Sequence, residues 1–184
     1  MSRRLLRLLA AGVLALALVT TLGACSKKRD FPIREGLGLE VNGLKYTVFI
    51  TRELNLRDPE DKSYFKGPEA PPGSAYYGVF LQVCNEGSKP LPATRDFTVV
   101  DTQGNHFQPI PLPATNDYRY KPDIVAPHRC LPTLGSMAQI GPASGSLLLF
   151  KIPNANIENR PLDLQIGASG TQNVSDHQRV ELDI

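Results

Sequence analysis

The stretch from Ala75 to Asn85 constrains this chain most. Read as extended backbone, it places Tyr77, Val79, Leu81 and Val83 on one face and Tyr76, Gly78, Phe80, Gln82 and Cys84 on the other. Side chains alternate across a strand, so one that is largely apolar on both faces needs cover on both. That is the expectation for the centre of a sandwich sheet. Other segments alternate more simply. Tyr46, Val48 and Ile50 interleave with Thr47, Phe49 and Thr51, and Val41-Asn42-Gly43-Leu44 precedes them as a turn. Gly145 to Ile152, Leu162 to Ile166 and Val180 to Ile184 also read as strands. Phe97 to Val100 and His106 to Ile110 flank Asp101-Thr102-Gln103-Gly104-Asn105, which predicts a hairpin. Pro109, Pro111, Pro113, Pro122, Pro127 and Pro132 punctuate the next segment, which suits edges and loops. Arg57 to Gly73 is polar and predicts a long loop. No stretch of about ten residues after the leader carries a helical repeat. The pattern predicts an all-β antiparallel sandwich.

The first 24 residues are of another kind. Arg3, Arg4 and Arg7 are followed by the apolar run Leu8 to Val19 and the small-residue region Thr20 to Ala24, the layout of a signal peptide. A membrane-spanning helix needs about 20 apolar residues, more than this run supplies. Leu22-Gly23-Ala24-Cys25 resembles the lipobox of bacterial lipoproteins. That resemblance implies cleavage before Cys25 and a lipid on its thiol, the alternative being an ordinary cleavage site that leaves Cys25 free. Each buried methylene contributes about 0.8 kcal/mol of membrane affinity, and stable anchoring takes more than one chain. The resemblance therefore implies an extracytoplasmic protein held by lipid on the cell membrane or outer membrane. Ser26 stands where an Asp often retains Gram-negative lipoproteins in the inner membrane, which leans towards the outer one. Residues 25–38 are charged and mixed and predict a tether, leaving 39–184 as one domain.

With Arg3, Arg4 and Arg7 removed, 20 basic side chains against 18 acidic become 17 against 18. The apparent basicity belongs to the leader, and nucleic acid is not an expected partner. Lys27-Lys28-Arg29 could touch anionic head groups or could simply be a solvated tether. Cys84 and Cys130 remain after Cys25. Export places them where paired cysteines form disulfides, and a bond would close a loop worth about 4 kcal/mol in the chain-entropy model. Two buried thiols that never meet are the alternative.

Four pieces in order carry a second resemblance: Tyr46–Ile50; Tyr77 to Gly87, ending Asn85-Glu86-Gly87; Phe97 to Gly104; and Leu147 to Pro153. Together they resemble the immunoglobulin-like domains of the DUF4352 type, found on many bacterial surface lipoproteins. The resemblance spans about Gly43 to Ile166 and implies an immunoglobulin-like β-sandwich. It brings no catalytic residue.

Nor do the residues themselves supply a reaction. His106, His128 and His177 lack metal-ligand spacing, and Asp58-Pro59-Glu60-Asp61-Lys62 lacks the spaced acids of a calcium loop. Gly141-Pro142-Ala143-Ser144-Gly145 only looks like a nucleophile elbow and reads as a turn. We expect no enzyme, no cofactor and no metal. Tyr118-Arg119-Tyr120-Lys121 alternates Tyr with cations in a Pro-flanked loop, so Tyr118, Arg119 and Tyr120 are the candidate interaction surface. The competing reading packs both rings on the core. The expected role is a binding or interaction module with a protein partner in the cell envelope. The alternative is a structural or accessory subunit in envelope assembly or maintenance.

Overall fold

The computed structural model describes residues 32–167 and 178–184. The predicted signal peptide, Cys25, the first part of the predicted tether and His177 lie outside them.

The first strand, β1 (Ile33–Arg34), begins earlier than the sequence suggests. Residues 33–38 are not tether. Ile33 is buried in the core, and the Glu35 carboxylate accepts from the Thr51 N–H (3.1 Å) and the Asp183 N–H (3.0 Å). An apolar side chain and one two-handed acid therefore fasten the entry of the chain to the domain. β2 (Gly38–Val41) and β3 (Leu44–Glu53) form a hairpin with Val41 opposite Leu44. Asn42 (φ 51°) and Gly43 (φ 76°) are its two turn residues. Both sit at positive φ, the geometry that makes Asn-Gly the favoured two-residue hairpin loop.

β3 pairs with β4 (Ser74–Cys84), and β4 with β10 (Ser146–Pro153). Beyond the first residue of β10, which lies opposite Leu81, β9 (Cys130–Leu131) takes the same lane along β4. These strands make sheet II, in the order β10-β4-β3-β2. Sheet I runs β1-β12-β11-β6-β7. It comprises β6 (Phe97–Val100), β7 (His106–Phe107), β11 (Leu162–Ile166) and β12 (Gln178–Leu182), with β1 added in parallel to β12. A small ribbon pairs β5 (Leu91–Pro92) with β8 (Ile124–Val125). The order of β3, β4 and β10 on one sheet and β6, β11 and β12 on the other matches that of the A, B, E and C, F, G strands of an immunoglobulin sandwich.

The main core fills the space between the sheets. Tyr46, Val48, Val79, Leu81 and Phe150 face Phe97, Val99, Leu164 and Val180 across it. The predicted hairpin after β6 is present, and Asp101 organises it. Its carboxylate accepts from the Gln103 N–H (2.9 Å), the Asn105 N–H (2.8 Å) and the side-chain amides of Asn105 (2.8 Å), Asn156 (3.1 Å) and Asn159 (3.0 Å). Asn156 belongs to a short helix that follows β10, so one buried acid ties the turn to the sheet opposite.

Candidate functional site

The outer face of β4 explains why that strand is apolar on both sides. Tyr76 and Phe80, with Leu147 and Leu149 from β10, form a second core with Leu54, Leu56 and Tyr64. Its cover comes from two segments. One is the polar stretch predicted as a loop, which contains helix α1 (Pro59–Tyr64). Asp58 caps it, accepting from the Glu60 N–H (2.8 Å), and Pro59 occupies the first turn. Buried Asp61 faces back to β3, accepting from the Asn55 N–H (2.8 Å) and pairing with Arg52, which also pairs with Glu60 at 3.0 Å. The acids of this stretch thus hold a helix in place.

The other cover is the proline-rich segment, which runs along the free edge of β10 as a strap. The Ile110 N–H donates to the Leu149 carbonyl (2.6 Å), the Leu147 N–H to the Tyr118 carbonyl (2.7 Å) and the Tyr120 N–H to the Leu147 carbonyl (2.9 Å). Edge groups that would otherwise invite pairing with another chain are thereby occupied. Tyr64 joins helix to strap. Its ring packs edge-on against Phe80 and Tyr118, each at 4.8 Å, and its carbonyl accepts from the Asn116 side-chain amide (2.8 Å). Its hydroxyl donates to Glu60 (3.3 Å). Burial, with the negative charge of Glu60 beside it, pushes that phenol up to about 12.

Between the end of α1 and the strap lies a groove of about 520 Å³, lined among others by Phe65, Lys66, Pro113, Tyr118 and Met137. Met137 opens the short helix α2 (Met137–Ile140), whose surroundings also expose Leu134 and Ile140. The groove has aromatic and thioether walls with Lys66 and Asp117 at its rim. Ser63, Thr115 and Asn116 add hydroxyl and amide groups to that lining, so it offers an incoming side chain both apolar contact and hydrogen bonds. A second groove of about 600 Å³ lies beside the β2–β3 turn and is lined by charged side chains, including Lys45 and Glu86. That exposed pair, at 3.0 Å, satisfies itself and contributes little.

The structure divides the predicted interaction residues. Tyr120 is in the main core, not on the surface. Its ring packs edge-on against Phe97 (5.2 Å), and its hydroxyl donates to the Thr94 carbonyl (2.9 Å). Burial pushes that hydroxyl up, as it does the Tyr46 hydroxyl, which accepts from the Thr94 N–H (2.8 Å). Tyr118 is half-buried as a wall of the first groove, and Arg119 is half-buried between the two in sequence. The strap crosses from the outer core to the inner one at these residues, which is why alternation does not leave both rings outside. Cys84 and Cys130 are opposite one another on β4 and β9 and form a disulfide. It closes the strap onto sheet II. His106 is exposed on β7, and His128 sits in a turn at φ 56°. Among the described residues no group of three or more His, Cys, Asp or Glu is placed to hold a metal ion, and no helix is long and apolar enough to cross a membrane.

No family model matches the chain, and no curated protein matches it. The DUF4352 resemblance therefore stands on its sequence pieces alone. Among solved structures, the chain is similar to the yjhA protein of Bacillus subtilis, with a TM-score of 0.54 at 12% identity. That alignment covers 82% of this chain and 99% of the other. The ycdA protein of Bacillus subtilis, described as a candidate lipoprotein, aligns at TM-score 0.48 and 9% identity over 78% of this chain and 38% of its own. An uncharacterized β-sandwich protein of Clostridium difficile 630 aligns at 0.44 and 12% over 85% and 99%. At these identities the likeness to yjhA is one of fold.

Proposed function

We propose that the mature protein is an extracytoplasmic lipoprotein, anchored through Cys25, whose β-sandwich is a non-catalytic interaction module for a protein partner in the envelope. The observation that carries the reading is the groove beside α1. It is a notch in which Phe65, Pro113, Tyr118 and exposed Met137 stand among polar side chains, built against the second core. Aromatic rings lose little entropy on binding, flexible methionine adapts its shape to a partner, and both recur at interfaces. The disulfide between Cys84 and Cys130 supports an oxidising compartment, and the lipobox-like stretch supports the anchor.

Site-specific photocrosslinking in intact envelopes tests this. A benzophenone side chain at Met137 is expected to give one discrete protein adduct, and Lys66→Glu is expected to weaken it. A probe at Gln165, on the outer face of the opposite sheet, is expected to give none. An identical pattern from both positions would remove the groove from consideration.

A further inference from the structure

Cover on the outer face of sheet II is incomplete, and the bare end adjoins the point where the chain enters the domain. A β-bulge between Val48 and Ile50 interrupts the pairing of β3 with β4. Bulges re-aim side chains. Here Phe49 and Ile50 both leave the core, with 39% and 40% of their surface exposed, while Val48 before them and Thr51 after them are buried. Alternation without a bulge would have sent one of the two inwards. The neighbouring chain is the β1–β2 connection. The Gly36 N–H donates to the Val48 carbonyl (2.7 Å), and Glu35 holds the Thr51 N–H. That connection carries Leu37, which is 57% exposed. Three large apolar side chains therefore stand exposed on β3 and on the connection bonded to it, a rim that Glu60 of α1 and Pro142, Ala143 and Ser144 flank at Phe49 and Ile50.

We infer that this rim, formed by Leu37, Phe49 and Ile50, rests in the head-group region of the bilayer that holds Cys25. The inference depends on the anchoring proposed above and adds the orientation of the domain. Pro32 follows Cys25 by seven positions, so their Cα atoms are at most about 24 Å apart at roughly 3.4 Å per residue. The apolar rim lies at the domain end of that short leash. Lys27, Lys28 and Arg29 lie on the leash itself, where anionic lipid attracts them. A protein partner would need to reach a surface close to the bilayer, whereas the lipid interface is already there. Apolar side chains at an interface gain by burial among acyl chains.

The chain contains no tryptophan, so a single substituted one is an isolated reporter. The lipidated full-length mature protein, carrying Phe49→Trp, is reconstituted into phosphatidylethanolamine–phosphatidylglycerol vesicles with and without brominated acyl chains. Gln165→Trp, on the outer face of sheet I, is the reference, and Ile50→Trp replaces Phe49→Trp if the latter misfolds. Loss of fluorescence at Phe49→Trp in brominated vesicles, with Gln165→Trp unchanged, is the expected result. Retained fluorescence at Phe49→Trp in protein that floats with the vesicles overturns the orientation and leaves the anchor intact. Equal loss at both positions also overturns it. Protein that fails to float rejects the anchor, and the orientation with it.

Discussion

Asp101 shows how much one side chain can organise. Burial alone would raise its carboxyl, but the donors from Asn105, Asn159 and Asn156 override that cost and hold it well below the usual carboxylate range. A group whose pKa falls on folding stabilises the fold above its unfolded value, about 3.9 for Asp. That contribution is lost as pH falls through the folded value. Asp101→Ala is therefore expected to cost about 2–3 kcal/mol at pH 7, in line with hydrogen bonds to a charged acceptor. Urea melts of both proteins at pH 7 and through the acid range measure this. The gap is expected to stay constant down to about pH 4 and then narrow. Tyr120 makes a different point. Tyr120→Phe keeps the ring contact with Phe97 but leaves the buried Thr94 carbonyl without its donor, at a cost of about 1–3 kcal/mol. A lower urea midpoint with partner crosslinking at Met137 unchanged is the expected outcome. A variant of wild-type stability that loses the adduct would return Tyr120 to the surface.

The second core gives helix α1 and the strap their function as elements. Tyr64 is fully buried where they meet β4. Tyr64→Ala is expected to cost about 3–5 kcal/mol, as other large-to-small aromatic changes do. Tyr64→Phe keeps the contacts with Phe80 and Tyr118 and is expected to cost far less. Limited proteolysis adds a local readout: cutting between 57 and 73 is expected in Tyr64→Ala and not in Tyr64→Phe. Much of this architecture was legible in the residues. β3, β11 and β12 alternate, β4 and β10 read as longer apolar runs, and all five fall near the places the sequence marks. The two-residue strands β1, β8 and β9 are too short to alternate, so only the folded chain reveals them. Helix α1 is six residues long, below the reach of a periodicity of 3.6. Its signal was local instead: Asp58 as cap, Pro59 after it, then Glu60 and Asp61 in the first turn. The two-sided apolarity of β4 announced cover on both faces without saying that the second cover would be a helix and a strap. Tyr118 and Tyr120 were singled out by residue type. Type alone does not reveal a strap that passes from one core to the other.

At the scale of the whole molecule, the entry of the chain is tied into the sandwich. Glu35 joins the entry of the chain to β3 and to the C-terminal residues, so the turn after β1 is fastened to both sheets. The disulfide locks the strap at the far end of β4. Such a body keeps its grooves in shape, and under the proposed anchor the seven positions from Cys25 to Pro32 bound how far from the membrane they are displayed. Intact mass spectrometry of the protein extracted from membranes without reductant tests this account most directly. The account predicts a chain beginning at Cys25, heavier than its sequence by more than one acyl chain and lighter by the hydrogens of one disulfide. A chain that retains Met1, or one that begins at Cys25 without lipid, would contradict it.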